Sequence, residues 1–104
     1  FHDSVTGEKD EIAPEAAFVF IGQKPNTEFA KDYLEMDKYG FVLTGHDFAH
    51  GRSKNYGERL AFETSISGVF AAGDVRQDSI KQVASAVGEG AAAAISIREF
   101  LKRN

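Results

Sequence analysis

The chain has no cysteine among its 104 residues. On its own it can neither run thiol chemistry nor be stapled by disulfides. Its only methionine is Met36, and it opens at Phe1 in what reads as a strand. The expectation is a piece excised from a longer protein, with a processed N-terminus as the alternative. No long run of one charge sign exists, although the net charge is -4. No Lys/Arg stripe is interleaved with aromatics, which argues against a nucleic-acid partner. The longest apolar stretch, 91–97, is broken by Ser96 and is too short to span a bilayer. No signal peptide or internal repeat is visible. A chain of this length holds one small domain, and 42% hydrophobic with 27% charged residues fits a soluble globular protein.

Hydrophobic patterning predicts an α/β fold. Residues 1–12 read as a β-hairpin around Val5-Thr6-Gly7-Glu8. Residues 16–21, AAFVFI, form an unbroken apolar run between Pro14 and Gly22, as expected of a strand buried on both faces. Gly22 to Thr27 is a loop by composition, after which Asn26 or Thr27 caps a short helix through Leu34 with Phe29, Tyr33 and Leu34 on one side. A turn at 37–40 precedes a short strand at 41–43. Residues 45–59, rich in Gly and polar side chains, read as a long exposed loop, followed by an edge strand at 60–63 and a second buried strand at 69–72. The longest helix is expected over 82–102, with an apolar stripe through Val83, Val87, Ala91, Ala94, Ile95, Ile97 and Leu101 and basic residues near its C-terminus.

A strand ending at Gly73-Asp74, followed by a loop and a helix opening near Lys81, places a carboxylate and free backbone N–H groups at a strand's carboxyl end. Ligands of open α/β sheets bind there. Gly73 permits a sharp turn and close approach. Asp74 offers only acceptors, so hydroxyls of a ribose or ribityl chain suit it. The helix start favours an anionic group. Within the helix, Gly88 and Gly90 each cost about 1 kcal/mol relative to Ala. They are expected to thin one side so that it lies close against a sheet or cofactor. The competing reading is a generic α/β unit with an Asp near a turn.

Other candidates carry less. His46 and His50 are four apart, but their Gly-rich segment is not helical by pattern, so no metal site is assigned. His2 reads as a strand residue of no special chemistry. Ser65, Ser67 and Ser79 lack recognisable His–acid partners. Phe18, Phe20 and Phe70 are read as core strand positions. No catalytic residue is assigned.

Thr64-Ser65-Ile66-Ser67-Gly68-Val69-Phe70-Ala71-Ala72-Gly73-Asp74 resembles T-S-x-P-G-V-F-A-A-G-D, the second FAD-binding signature of the thioredoxin reductase family of pyridine-nucleotide disulfide oxidoreductases. Lys81-Gln82-Val83 falls where that family has R-Q-A, and Phe18 to Thr27 resembles its F-V-x-I-G-x-x-P-N-T. The motifs occur in the family's order and cover nearly the whole chain.

The resemblance implies the C-terminal part of a two-dinucleotide-domain, Rossmann-like flavoprotein. Residues 1–22 would end an NADPH-binding domain and 23–104 would form the last segment of the FAD-binding domain, with 45–59 as a long loop. Gly22 and Pro25 would mark the crossing between them. The implied cofactors are FAD and NADPH, the latter bound mainly outside this chain. Asp74 would accept a ribityl hydrogen bond and Gly73 would allow that approach. Val75 would lie beside them, and Lys81, Gln82 and Val83 would sit by the flavin.

The implied protein is an NADPH-dependent disulfide reductase, cytoplasmic, homodimeric at full length, acting on a thioredoxin-like or other redox partner, with no membrane or nucleic-acid role. The glycine motifs for both dinucleotides and the C-x-x-C pair lie upstream in that family, so this chain alone is expected to be inactive and poorly stable. Ser67 stands in place of Pro, Lys81 of Arg and Val83 of Ala. Residues 45–59 are similar to longer loops of reductase-like proteins carrying extra regulatory domains. The alternatives are a ferredoxin or flavodoxin–NADP reductase of the same fold and a non-catalytic flavin-fold module.

Overall fold

The structure is a computed structural model that describes residues 11–49 and 59–103. Four elements follow in order. They are a 3-10 turn at Glu28–Ala30, helix α1 at Gly45–Ala49, a 3-10 turn at Gly73–Val75 and helix α2 at Val83–Arg103. Between them the backbone is extended or turned. Its pairings are isolated bridges: Met36 with Val42 and Glu63 with Phe70 antiparallel, and Val42 with Arg76 parallel. The expected hairpin at 1–12 lies almost wholly outside the described residues, as do His2 and His50.

Helix α2 matches its expected extent within a residue at either end, with Lys102 and Arg103 in its last turn. It begins where positive φ at Lys81 (60°) prevents an earlier start, and the Gln82 carbonyl accepts the Ala86 N–H at 2.9 Å. Its packed face differs from the expected one. Ala93 is buried and Ala86, Glu89, Ser96 and Phe100 are half-buried, whereas Val83, Val87, Ile95 and Leu101 are exposed, Val83 to 83%. The packed positions repeat every three to four residues like the apolar stripe, but lie about 130° round the helix from it. Phe100 packs edge-on against Phe70, with ring centroids 6.0 Å apart. Among the described residues, a Cβ at Gly88 or Gly90 meets nothing within 4 Å, so neither glycine is required by a sheet packed there.

The run at 16–21 forms no strand. Phe18 and Phe20 stack on each other with centroids 6.2 Å apart, and Phe20 is 90% exposed. A strand needs neighbours for its N–H and C=O groups, and no pairing segment lies beside this one among the described residues. The segments 41–43 and 69–72 pair only through isolated bridges, two at Val42 and one at Phe70, and Val69 is exposed. Residues 60–63 make a turn rather than an edge strand. The Glu63 N–H donates to the Leu60 carbonyl at 3.0 Å, with Phe62 at φ 67°. The helix expected through Leu34 shortens to Glu28–Ala30 plus a turn, because Thr27 donates its hydroxyl to the Gly40 carbonyl at 2.7 Å instead of capping, and Phe29 and Tyr33 stay exposed.

The turn at 37–40 forms as expected, with Gly40 at φ 94° and Asp37 Oδ1 accepting the Tyr39 and Phe41 N–H groups. The expected loop at 45–59 opens with α1, so its start is helical. Thr44 precedes α1, and Asp47 Oδ2 accepts the Thr44 N–H at 2.9 Å, half of a capping box. The glycine at the helix start is required by contact. A Cβ on Gly45 would stand 2.2 Å from the Leu60 carbonyl oxygen.

The signature segment builds its own turn. The Val69 N–H donates to the Ile66 carbonyl at 3.1 Å and Gly68 has φ 84°. Ser67 thus occupies the second position of a turn that needs positive φ at its third, where Pro is favoured but not required. The buried Glu63 carboxylate accepts the Leu60 and Gly68 N–H groups, both at 3.0 Å. Buried apolar side chains among the described residues are few (Ala30, Val42, Leu43, Phe48 and Ala93), and buried polar groups such as Thr44, Thr64, Asp47 and Glu63 accompany them. No helix is long and apolar enough to cross a membrane among the described residues.

Two outcomes follow from this packing. The isolated 104-residue chain should unfold in urea with a shallow slope, well under about 1 kcal/mol per molar; a steep cooperative transition would contradict it. In the full-length protein, Gly45→Ala should lower stability by about 1–3 kcal/mol, because the backbone of the 59–60 segment must move. An unchanged melting temperature would show that the contact is not made.

Candidate functional site

A cavity of about 500 Å³ is lined by Gln23, Lys24, Pro25, Asn26, Phe41, Asp74 and Val75. Three segments meet there, and each is held from behind. The 25–27 segment is tied to Gly40 by the Thr27 hydroxyl, and a Cβ on Gly40 would stand 3.2 Å from Pro25. Phe41 is fixed through its N–H to Asp37 at 3.0 Å. The 73–77 segment is joined to Val42 by two backbone bonds, from Val42 N–H to the Val75 carbonyl (2.8 Å) and from Gln77 N–H to the Val42 carbonyl (2.9 Å).

Of the residues singled out from the sequence, Asp74 and Val75 line the cavity. Gly73 is buried behind them with φ 84°, a conformation other residues rarely adopt. Lys81 reaches the back of the wall: its ammonium lies 4.0 Å from the centroid of the Phe41 ring, a cation–π distance, and donates to the Ser79 hydroxyl at 3.0 Å. Gln82 and Val83 are exposed at the start of α2 and are not part of this wall. Asp74 is exposed and makes no hydrogen bond or ion pair with the described residues.

Behind the wall sits a pair that sequence reasoning missed. Glu89 Oε1 accepts the Gly73 N–H at 3.1 Å and also pairs with Arg76 Nε. Both side chains are largely covered, at 16% exposure for Arg76 and 14% for Glu89. Arg76 further donates from Nη1 to the Thr44 hydroxyl at 3.0 Å, and its guanidinium lies 4.8 Å from the Phe62 ring centroid. The only sequence signal was an acidic residue between two glycines in a helix. The wall residues Gln23, Lys24 and Asn26 were also given no contact role; their signal lay in the G-x-x-P-N loop that was assigned to a domain crossing. His46 lies on α1, away from the 500 Å³ cavity.

The hydrogen bond from Arg76 holds the Glu89 carboxyl below the usual carboxylate range. Desolvation opposes this, and the Gly73 N–H and the charges of Arg76 and Lys81 reinforce it. A carboxyl depressed on folding stabilises the fold above its unfolded pKa and ceases to do so as the pH falls through its folded value. The stability difference between the full-length protein and its Glu89→Gln variant should therefore be constant at neutral pH and shrink below about pH 4. Thermal melts of both across that range check it; a difference independent of pH would show that Glu89 is not charged in the fold.

Comparison with known proteins follows the same segments. The profile of the pyridine nucleotide-disulphide oxidoreductase family matches residues 2–90. The thioredoxin reductase of Borreliella burgdorferi is 35% identical over 92 residues, covering 88% of this chain and 24% of that protein. An alkyl hydroperoxide reductase protein of Pseudomonas putida is 39% identical over 103 residues, covering 99% of this chain and 17% of that protein. The crystal structure of thioredoxin reductase from Streptococcus pyogenes superposes with a TM-score of 0.68 at 29% identity, over 99% of this chain and 29% of that one. The chain thus spans between 16% and 30% of the length of the curated relatives it matches.

Proposed function

The chain belongs to the pyridine nucleotide-disulphide oxidoreductase family, and from that premise we propose that it is the C-terminal, FAD-contacting part of an NADPH-dependent disulfide reductase of thioredoxin reductase type. Residues 1–22 end the NADPH-binding domain in this reading, and 23–104 complete the FAD-binding domain. The net reaction oxidises one NADPH to NADP⁺ and, with one proton from solvent, reduces one disulfide to two thiols.

The observation that carries the reading is the carboxylate of Asp74. It stands on a cavity wall with no partner of its own among the described residues. It can only accept, so it requires donors, and the hydroxyls of a ribityl chain are such donors. Gly73 keeps the backbone behind it thin. The N–H groups of Val83 and Ala84 have no hydrogen-bond acceptor among the described residues. They present partial positive charge at the start of α2, suited to an electron-rich group. This donor and acceptor set fits FAD, which when bound supplies a two-electron carrier between nicotinamide and disulfide. The chain's own residues bind and orient. Asp74 accepts, the α2 start donates, and Lys81 braces Phe41 on the wall.

The disulfide acceptor is proposed as a thioredoxin-like protein, and the working assembly as a homodimer in the cytoplasm. Identity to thioredoxin reductases supports this over the other flavoprotein readings.

In the full-length protein, Asp74→Ala should weaken FAD binding about tenfold or more, as expected for loss of a hydrogen bond to a charged group. Titration of apoprotein with FAD measures it. An affinity equal to wild type would refute the role of Asp74, and a full-length protein that takes up no flavin, or whose flavin is not reduced anaerobically by NADPH, would refute the enzyme reading.

A further inference from the structure

We propose that Glu89 is a positioning residue for the cofactor site, fixing the Asp74 carboxylate on the cavity wall by clamping both ends of the turn that carries it. This rests on the reading that Asp74 meets FAD. The turn runs from Gly73 to Arg76, and the Arg76 N–H donates to the Gly73 carbonyl at 3.1 Å. One oxygen of Glu89 takes the Gly73 N–H at one end of the turn and the Arg76 guanidinium at the other. The two residues between these anchors, Asp74 and Val75, both line the cavity.

The clamp acts on the turn more than on the helix that bears it. Helix α2 is also held by its buried Ala93 and by the edge contact of Phe100 with Phe70, neither of which involves the carboxylate. The turn loses more. Gly73 has no side chain to anchor it and holds a positive φ, and the Asp74 side chain is exposed. Its other fixed points are the backbone bonds to Val42 and the Arg76–Thr44 bond. The charged groups acting on Glu89 are Arg76, from the turn, and Lys81, from the segment before α2.

A double-mutant cycle on the full-length protein tests this, with FAD affinity of the apoprotein as the readout. Glu89→Ala should weaken binding about tenfold, and Glu89→Gln, which keeps an acceptor for the Gly73 N–H, about threefold. In an Asp74→Ala background the same Glu89 substitutions should cost less than about twofold, because the group being positioned is gone. That non-additivity and the partial rescue by glutamine support the inference. Wild-type affinity in Glu89→Ala, alongside loss in Asp74→Ala, overturns it and leaves the functional reading standing. Equal losses in both backgrounds also overturn it, since Glu89 would then act on the fold in general. An Asp74→Ala protein that binds FAD as wild type does overturns the role given to Asp74 and this inference with it, while the enzyme reading falls only if the full-length protein takes up no flavin or its flavin is not reduced by NADPH. Should Glu89→Ala fail to fold, Glu89→Gln carries the same cycle.

Discussion

The carboxylate of Glu89 and the guanidinium of Arg76 meet with most of their surface withdrawn from water, and the surrounding segments converge on them. Glu89 comes from α2, the Gly73 N–H from the turn, the Thr44 hydroxyl from the cap of α1, and the Phe62 ring from the turn before the signature. Removing one member of such a covered pair leaves the other charged and unsatisfied, so the cost exceeds the pair's own net contribution. With few buried apolar side chains among the described residues, this polar junction joins Ala93 and the Phe100–Phe70 contact in relating the long helix to the segments beneath it. It also ties the Gly73–Arg76 turn to the start of α1.

The small polar residues at the start of the signature motif hold backbone of their own. Thr64 and Ser65 are buried and bond to backbone. Thr64 N–H donates to the Val69 carbonyl at 2.8 Å, and the Ser65 hydroxyl accepts the Glu35 N–H at 2.9 Å. They shape the chain just before Gly73. The apolar residues, by contrast, stand out in the open along 16–21 and on one stripe of α2. The polar groups of this chain fold locally, while its apolar surfaces remain without partners among the described residues.

That division decides what could be read from the sequence. The extent of α2 was legible because propensity and dipole-matched basic residues act within the helix. Its packed face was not. Periodicity located the strongest apolar stripe, but the packed positions are Ala86, Glu89, Ala93, Ser96 and Phe100, well round the helix from it. The turns at 37–40 and 73–75 were legible because Gly and Asp determine them locally. The strands were not, because pairing depends on segments distant in the chain. Helix α1 was hidden by its glycine, although Thr44 and Asp47 have capping-box spacing. The place of Asp74 was legible from Gly-Asp after a strand-like run; the clamp of Glu89 on its turn was not, since it joins residues sixteen apart.

An experimental structure of the full-length protein with FAD bound tests the central claim most directly. The account predicts Glu89 within hydrogen-bond reach of both the Gly73 N–H and the Arg76 guanidinium, near the 3.1 Å found here for the first, with the Asp74 carboxylate on a ribityl hydroxyl. A Glu89 turned to solvent beneath a well-placed Asp74, or an Asp74 pointing away from the cofactor, would contradict it.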